Sequence, residues 1–557
     1  MKALLAAQFI LFMTLSAFAT DWQRDFTLPG EGRFTTETRA NILELPAERW
    51  TQALARGRRH VFSYPVTVTE LTIPYRAFMG FFEERANNPL KRWIQTLTRG
   101  VVPFKSPGEV MGWLGVHPFP SDDTTPVSAE ERALGMGASV LEMEGAKGLT
   151  FSCAACHTAE LFGRPVVGLT NRFPRANEFF THGQNLLPLA DPRLFQMLTR
   201  ATPAERALLE RARHAVTFVG AKKPAALGLD TSLAQVALSL AKRGTDEYAA
   251  RLAQTARRPR PNPLSREVAD SKPAVWWNVK YKTRWLSDGS IVQGNPILTN
   301  FLWNEIGRGV DLKNLEDWIA ENRDTIDDLT AAVFATQAPA YLDFLPAESF
   351  DLALAKAGQA PYEATCMRCH GRYEKGWEAP DAEQLSVKAQ ARTVRVHYHR
   401  KTPVIDVGTD PGRHRGMRHF AGPLNRLAIS RAIETIVEPQ QGYVPPPLVG
   451  IWARWPYFHN NSAPSLCAVL TRAAERPVRY VSGPAVNPAT DYDAECGGYP
   501  ELAKAPAAWR ARSEHVFDTR KPGLGNGGHD EGIFLREGRE VLTPTQKRAI
   551  IEFLKTL

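Results

Sequence analysis

The chain has 557 residues, 43% of them hydrophobic, and a formal net charge of +9 from 68 basic and 59 acidic side chains. That length allows more than two domains and a sizeable core. The basic excess is spread along the chain instead of forming one long run, which argues against a nucleic-acid partner and fits an acidic redox partner or simple solubility.

In chain order, Lys2, the apolar stretch Ala3 to Leu15 broken only by Gln8 and Thr14, and then Ala17-Phe18-Ala19 read as a signal peptide over residues 1–19. No other uninterrupted apolar run approaches the length of a membrane helix, so the expectation is a periplasmic or secreted protein with no membrane span after signal cleavage. An uncleaved anchor is the alternative. Residues 20–126 are rich in aromatics, arginine and proline without a sustained period and read as an irregular N-terminal extension. Candidate helices within it are Glu48–Gly57 and Tyr75–Thr98, and His60 and His117 read as packed or solvated residues. Ser128-Ala129-Glu130-Glu131 is a capping box, and Ala133, Met136, Val140 and Met143 continue at helical spacing, which predicts a helix leading into the next motif.

That motif is Cys153-Ala154-Ala155-Cys156-His157, and Cys366-Met367-Arg368-Cys369-His370 repeats its spacing. Two thiols three residues apart can add to the vinyl groups of a haem while the following imidazole ligates the iron. A zinc site or a dithiol redox pair would leave the histidine a coincidence in both copies. The reading is therefore two covalently bound haem c groups, attached through Cys153, Cys156, Cys366 and Cys369, with His157 and His370 as iron ligands. Between the motifs, Asp191 to Ala256 reads as two or three amphipathic helices, and Arg257 to Pro263 as a linker because its prolines cannot continue them. Phe350 to Gly358 with Tyr362 reads as a helical lead-in to the second motif. Thr543-Pro544-Thr545-Gln546 opens a terminal helix that buries Ile550, Ile551, Phe553 and Leu554. Cys467 and Cys496 remain, and in an exported chain they are expected to form a disulfide, with a free thiol as the alternative. The expected fold is mainly α, with two cytochrome c-like haem domains at 127–345 and 346–557, a helical insertion in the first, and the irregular extension before them.

The sixth ligand of each iron decides between electron transfer and chemistry on a bound oxidant. For the second haem the candidate is His529, in the glycine-rich stretch Gly523 to Gly532, with Met417, His397, His399, His414 and His419 as rivals. Near the first, His182 reads either as a weak distal ligand or as a packed residue, and Met197 falls in a helical stripe, so the first haem is the better candidate for an open iron. Splitting a peroxide bond needs a group that takes a proton from one oxygen and delivers it to the other. Glu305 is the candidate, against a surface ion pair with Arg308; Trp277 and Trp285 are candidate electron relays, against ordinary core residues.

These blocks resemble the bacterial dihaem cytochrome c peroxidase superfamily, which includes the methylamine-utilisation dihaem enzymes and the dihaem rubber oxygenases. The resemblance rests on the two motifs, Asp288-Gly289 followed by Asn304-Glu305-Ile306-Gly307, Trp455 to Leu466, and Asp518 to Leu557. It implies an N-terminal haem facing the oxidant and a glutamate, here Glu305, assisting O–O cleavage. The methionine that family peroxidases place after the Tyr457 to Leu466 block is missing between Cys467 and Tyr480, which points to the rubber-oxygenase-like branch. In that branch the second haem is bis-histidine, with the distal residue at the position of Gly528-His529-Asp530. This chain has Ser287 before Asp288-Gly289 and Trp285 two residues earlier, so Trp285 and Trp277 stand as equal relay candidates. The implied function is an exported dihaem oxidoreductase with peroxide or dioxygen chemistry at the N-terminal haem and electron transfer or storage at the other. Its partner would be a small redox protein or an organic substrate such as an olefinic polymer; the alternative is a non-catalytic electron-transfer protein. Calcium, which some relatives hold between domains, has no evident carboxylate cluster here.

Overall fold

The computed structural model describes residues 41–82 and 104–557, so the signal-peptide stretch and the part of the expected helix beyond Phe82 lie outside the described residues. The fold is mainly helical with small antiparallel sheets of two or three strands. The helix Ala47–Phe62 outruns its expected end at Gly57, because Val61 and Phe62 add a further apolar turn that is buried. It lies against the helix Arg323–Phe334, where Arg56 donates to both oxygens of Asp328 at 2.6 and 2.8 Å. The chain then runs inward through Tyr64, and Ile73–Pro74 joins the edge of a hairpin formed by Ala138–Met143 and Ala146–Phe151.

That hairpin replaces the expected helical lead-in to the first motif. The capping box at Ser128 forms, but its helix covers only Ala129–Leu134. Gly135 and Gly137 follow at φ 110° and 113°, which the α-helix does not allow. A side chain at 137 would also sit 2.4 Å from the Ala155 nitrogen, so the strand can approach the motif turn only through glycine. Met136, Val140 and Met143 satisfy a helical spacing, yet the alternation of buried and exposed positions through Val140, Leu141, Glu142 and Met143 is that of a strand. Leu352–Thr365 leads into the second motif as expected, Pro544–Leu554 carries a complete capping box, and Pro192–Thr199, Pro203–Val216 and Ser232–Ala241 lie within Asp191 to Ala256, followed by a fourth, short helix, Ala253–Arg257, that reaches the first residue of the expected linker.

Two apolar cores flank the site. One gathers the helices Ser232–Ala241, Pro296–Gly307, Leu312–Glu321 and Arg323–Phe334, and takes Met417, Phe420 and Val437 from far downstream. The other packs Leu352–Thr365 against the terminal helix and is rich in large aromatics, among them Tyr362, Tyr373, Trp452 and Trp455. Ile291–Gln293 pairs with Ile436–Val437 across the chain. Arg172 donates to the carbonyls of Ala453 at 2.9 Å and Trp455 at 3.2 Å, with its guanidinium 4.0 Å from the Trp455 ring centre.

Cys467 and Cys496 are bridged, with Cα atoms 4.9 Å apart and a sequence separation of 29. A Cys467→Ser, Cys496→Ser double variant is expected to lose about 3 kcal/mol of stability. Denaturant unfolding of the non-reduced proteins reads this directly; an unchanged midpoint would show the bridge to be dispensable.

Candidate functional site

Both motifs open onto one cavity of about 500 Å³, whose wall includes Cys153, Cys156, His157, Cys366, Cys369 and His370. The first motif turns through Cys153–Ala155, held by Ser152 N–H to the Gly137 carbonyl at 2.9 Å and Asn171 Nδ2 to the Ala155 carbonyl at 2.8 Å. The second follows directly from the helix ending at Thr365, and the Tyr373 hydroxyl donates to the His370 carbonyl at 2.8 Å.

Each motif histidine is oriented from behind. His157 Nδ1 lies 2.9 Å from the Ala274 carbonyl and His370 Nδ1 lies 2.8 Å from the Pro446 carbonyl. A carbonyl only accepts, so Nδ1 carries the proton in both rings and Nε2 keeps its lone pair for a metal. Burial pushes the pKa values of His157 and His370 down to about 4, and that of His529 to about 3, so all three imidazoles are neutral at ordinary pH.

His529 also lines the cavity, its ring centre 6.3 Å from that of His370 and the planes inclined by 52°. A metal–imidazole bond of about 2 Å on each side of one ion puts two ring centres about 6 Å apart. The residues therefore fit a haem iron held between these two rings. His529 reaches this position with φ 57°, beside Gly528 at φ 68°, while its N–H donates to the Val407 carbonyl at 2.8 Å. A side chain at 528 would lie 2.3 Å from the Gly408 carbonyl carbon, which explains the glycine. Among the described residues no group of three or more His, Cys, Asp or Glu side chains is placed to hold a bare metal ion.

The rival ligands lie off the cavity wall. Met417 is buried in the first core, His397 Nε2 contacts Glu374 at 2.5 Å, His399 Nε2 lies 3.0 Å from the Cys369 carbonyl, His414 packs edge-on to Tyr443 with its Nε2 unpaired, and His419 lies 3.6 Å from Glu267. His182 is exposed beside Trp113 and is not on the cavity wall. The ring neighbour of His157 is Trp276, 5.1 Å away, and not another imidazole.

Glu305 is fully buried in the helix Pro296–Gly307, so the surface ion-pair reading is excluded. Its Oε1 accepts from the Tyr64 hydroxyl and from Arg308 Nη1 at 3.2 Å. Burial raises its pKa, against the pull of Arg308. Glu305 does not line the cavity; Tyr64 and Arg308 stand between, both on the wall, with the Arg308 guanidinium 4.1 Å from the Tyr64 ring centre. Trp285 lines the cavity, whereas Trp277 does not: its indole N–H donates to the Val449 carbonyl at 2.9 Å inside the second core. Its neighbour Trp276 faces the cavity instead.

Sequence reasoning missed Tyr64, Trp276 and His459. The last lines the cavity, stacks on Tyr443 at 3.9 Å and leaves Nε2 unpaired. A histidine in the block Trp455 to Leu466 was the available signal for it; Tyr64 had none.

Residues 442–481 match a family described as RoxA-like, cytochrome c-like. This stretch contributes the Pro446 carbonyl that orients His370, and Arg454, Tyr457, Phe458 and His459 on the cavity wall. The chain thus carries a cytochrome c-like region, which implies covalently bound haem c. The chain is also 28% identical to an uncharacterized protein of Sinorhizobium fredii, y4iJ, over 38% of its own length and 39% of the relative's. With a second uncharacterized protein of that bacterium, y4iM, identity is 35% over 17% of this chain and 21% of the relative. Both matches span well under half of the relatives. Among the described residues no helix is long and apolar enough to cross a membrane.

Proposed function

We propose that the chain is an exported dihaem oxidoreductase of the rubber-oxygenase-like kind, built on two cytochrome c-like domains, with one haem closed and one open. The observation that carries this is the asymmetry of the two motif histidines: His370 faces His529 at 6.3 Å, whereas the ring beside His157 is an indole. Haem, when bound, supplies an iron that exchanges electrons and, with one coordination position free, takes a small oxidant such as hydrogen peroxide or dioxygen.

The chain supplies everything around it. His370 and His529 would hold the iron of the second haem and suit it to electron transfer or storage, while His157 would hold that of the first. Glu305, Tyr64 and Arg308 form a proton-holding unit: Tyr64, on the cavity wall, donates its hydroxyl to Glu305, and Arg308 steadies both. Trp276 and Trp285 give the wall aromatic surface suited to passing an electron between the haems. The substrate is a small redox protein or an organic molecule.

Mass measurement of the exported protein tests the first part, with two covalent haems expected and fewer than two fatal to the reading. Peroxide turnover with a reduced cytochrome, set against oxygen uptake with polyisoprene, tests the second. Activity in one of them is expected, and inertness in both would leave an electron carrier.

A further inference from the structure

Lys272, Lys282 and Arg454 lie together on the wall of the shared cavity. Lys272 Nζ donates to the Arg454 carbonyl at 3.1 Å and to the Pro456 carbonyl, and Arg454 Nη1 donates to the Pro447 carbonyl at 3.1 Å. These contacts join the two shelves that orient the motif histidines, since Ala274 follows Lys272 by two residues and Pro446 directly precedes Pro447. The cluster therefore sits where the two haem sites adjoin.

The charge of Arg454 acts on both Lys272 and Lys282, and no carboxylate is among the groups acting on the three. Burial and then Arg454 push the Lys282 pKa down to about 7; burial and then Arg454 and Arg172 push Lys272 well below its usual range; burial lowers Arg454 to about 10. Arg454 Nε is buried without a partner. Asp230 is the carboxylate on the described wall, and both its oxygens are already bonded to Ser232. Gathering like charges in a low-dielectric cavity is unfavourable unless an anion joins them.

We propose that Lys272, Lys282 and Arg454 form a carboxylate-binding cluster that takes haem propionates and holds the reduction potential up. The inference rests on the two-haem reading above, and the covalent attachment sites do not themselves assign it. The propionates pair with the three cations, whose positive charge offsets theirs and so disfavours the oxidised, more positive iron.

The test is a spectroelectrochemical titration of Lys282→Gln, Arg454→Gln and Lys282→Arg holoproteins, each with its haem content measured by mass. Lys282 is the cleaner site because it shares no backbone contact of the kind that ties Lys272 in place. Removing its charge is expected to shift the reduction equilibrium of at least one haem about tenfold toward the oxidised form, ~59 mV for one electron. Lys282→Arg should restore the wild-type value. Haem loss in Lys282→Gln with retention in Lys282→Arg also supports the cluster. Fully loaded Gln variants with wild-type potentials, or an Arg variant that behaves like the Gln one, would overturn it. A wild-type protein without two haems would instead remove the functional reading on which the cluster depends.

Discussion

Replacing His529 with glycine should abolish the low-spin character of the second haem while leaving both covalent attachments in place. Glycine is the right replacement because residue 529 sits at φ 57°, where a side chain is strained and glycine is not. The vacated space faces His370 across the cavity, so added imidazole should enter it and restore the original spectrum. Alanine at Met417, His414 or His419 should leave that spectrum unchanged, since none of the three lines the cavity. A His529→Gly protein whose optical and paramagnetic signals match the wild type would show that another residue closes the second iron.

Glu305→Gln should reduce turnover at the first haem at least about 100-fold, the low end of what a positioned acid–base group contributes. Tyr64→Phe should act in the same direction, because it removes the hydroxyl by which a residue of the cavity wall bonds the buried carboxylate. The two effects should not add, since each breaks the same connection. Stability offers an independent readout. Burial raises the Glu305 pKa in the folded state, so the protonated form favours folding. Stability from this group is full below the ordinary carboxylate range and is lost as pH rises through the raised value. Glutamine cannot ionise, so Glu305→Gln should flatten that part of the pH–stability curve. Full peroxide or oxygen turnover in Glu305→Gln would remove the proton role.

The parts of the site that were legible in the sequence are those whose chemistry fixes local spacing. Cys153 to His157 and Cys366 to His370 each place three reactive groups within five residues, and Gly528-His529 announces a backbone that only glycine neighbours permit. The hairpin before the first motif was misread because Met136, Val140 and Met143 fit two periods at once, and Gly135 and Gly137 decide between them. Trp276 and Trp277 are adjacent in a short 3₁₀ turn, where one faces the cavity and the other the core, and no periodicity distinguishes them. Tyr64 meets Glu305 across 241 residues, and Lys272 meets Arg454 across 182. Contacts of that range leave no trace in local pattern; they follow from how the two cores close around the cavity.

The most direct test is low-temperature electron paramagnetic resonance of the oxidised protein before and after cyanide is added. A site closed by His370 and His529 and another held by His157 alone predict one low-spin signal that cyanide leaves untouched and a second signal that cyanide converts. Two low-spin signals, both indifferent to cyanide, would contradict the open first site.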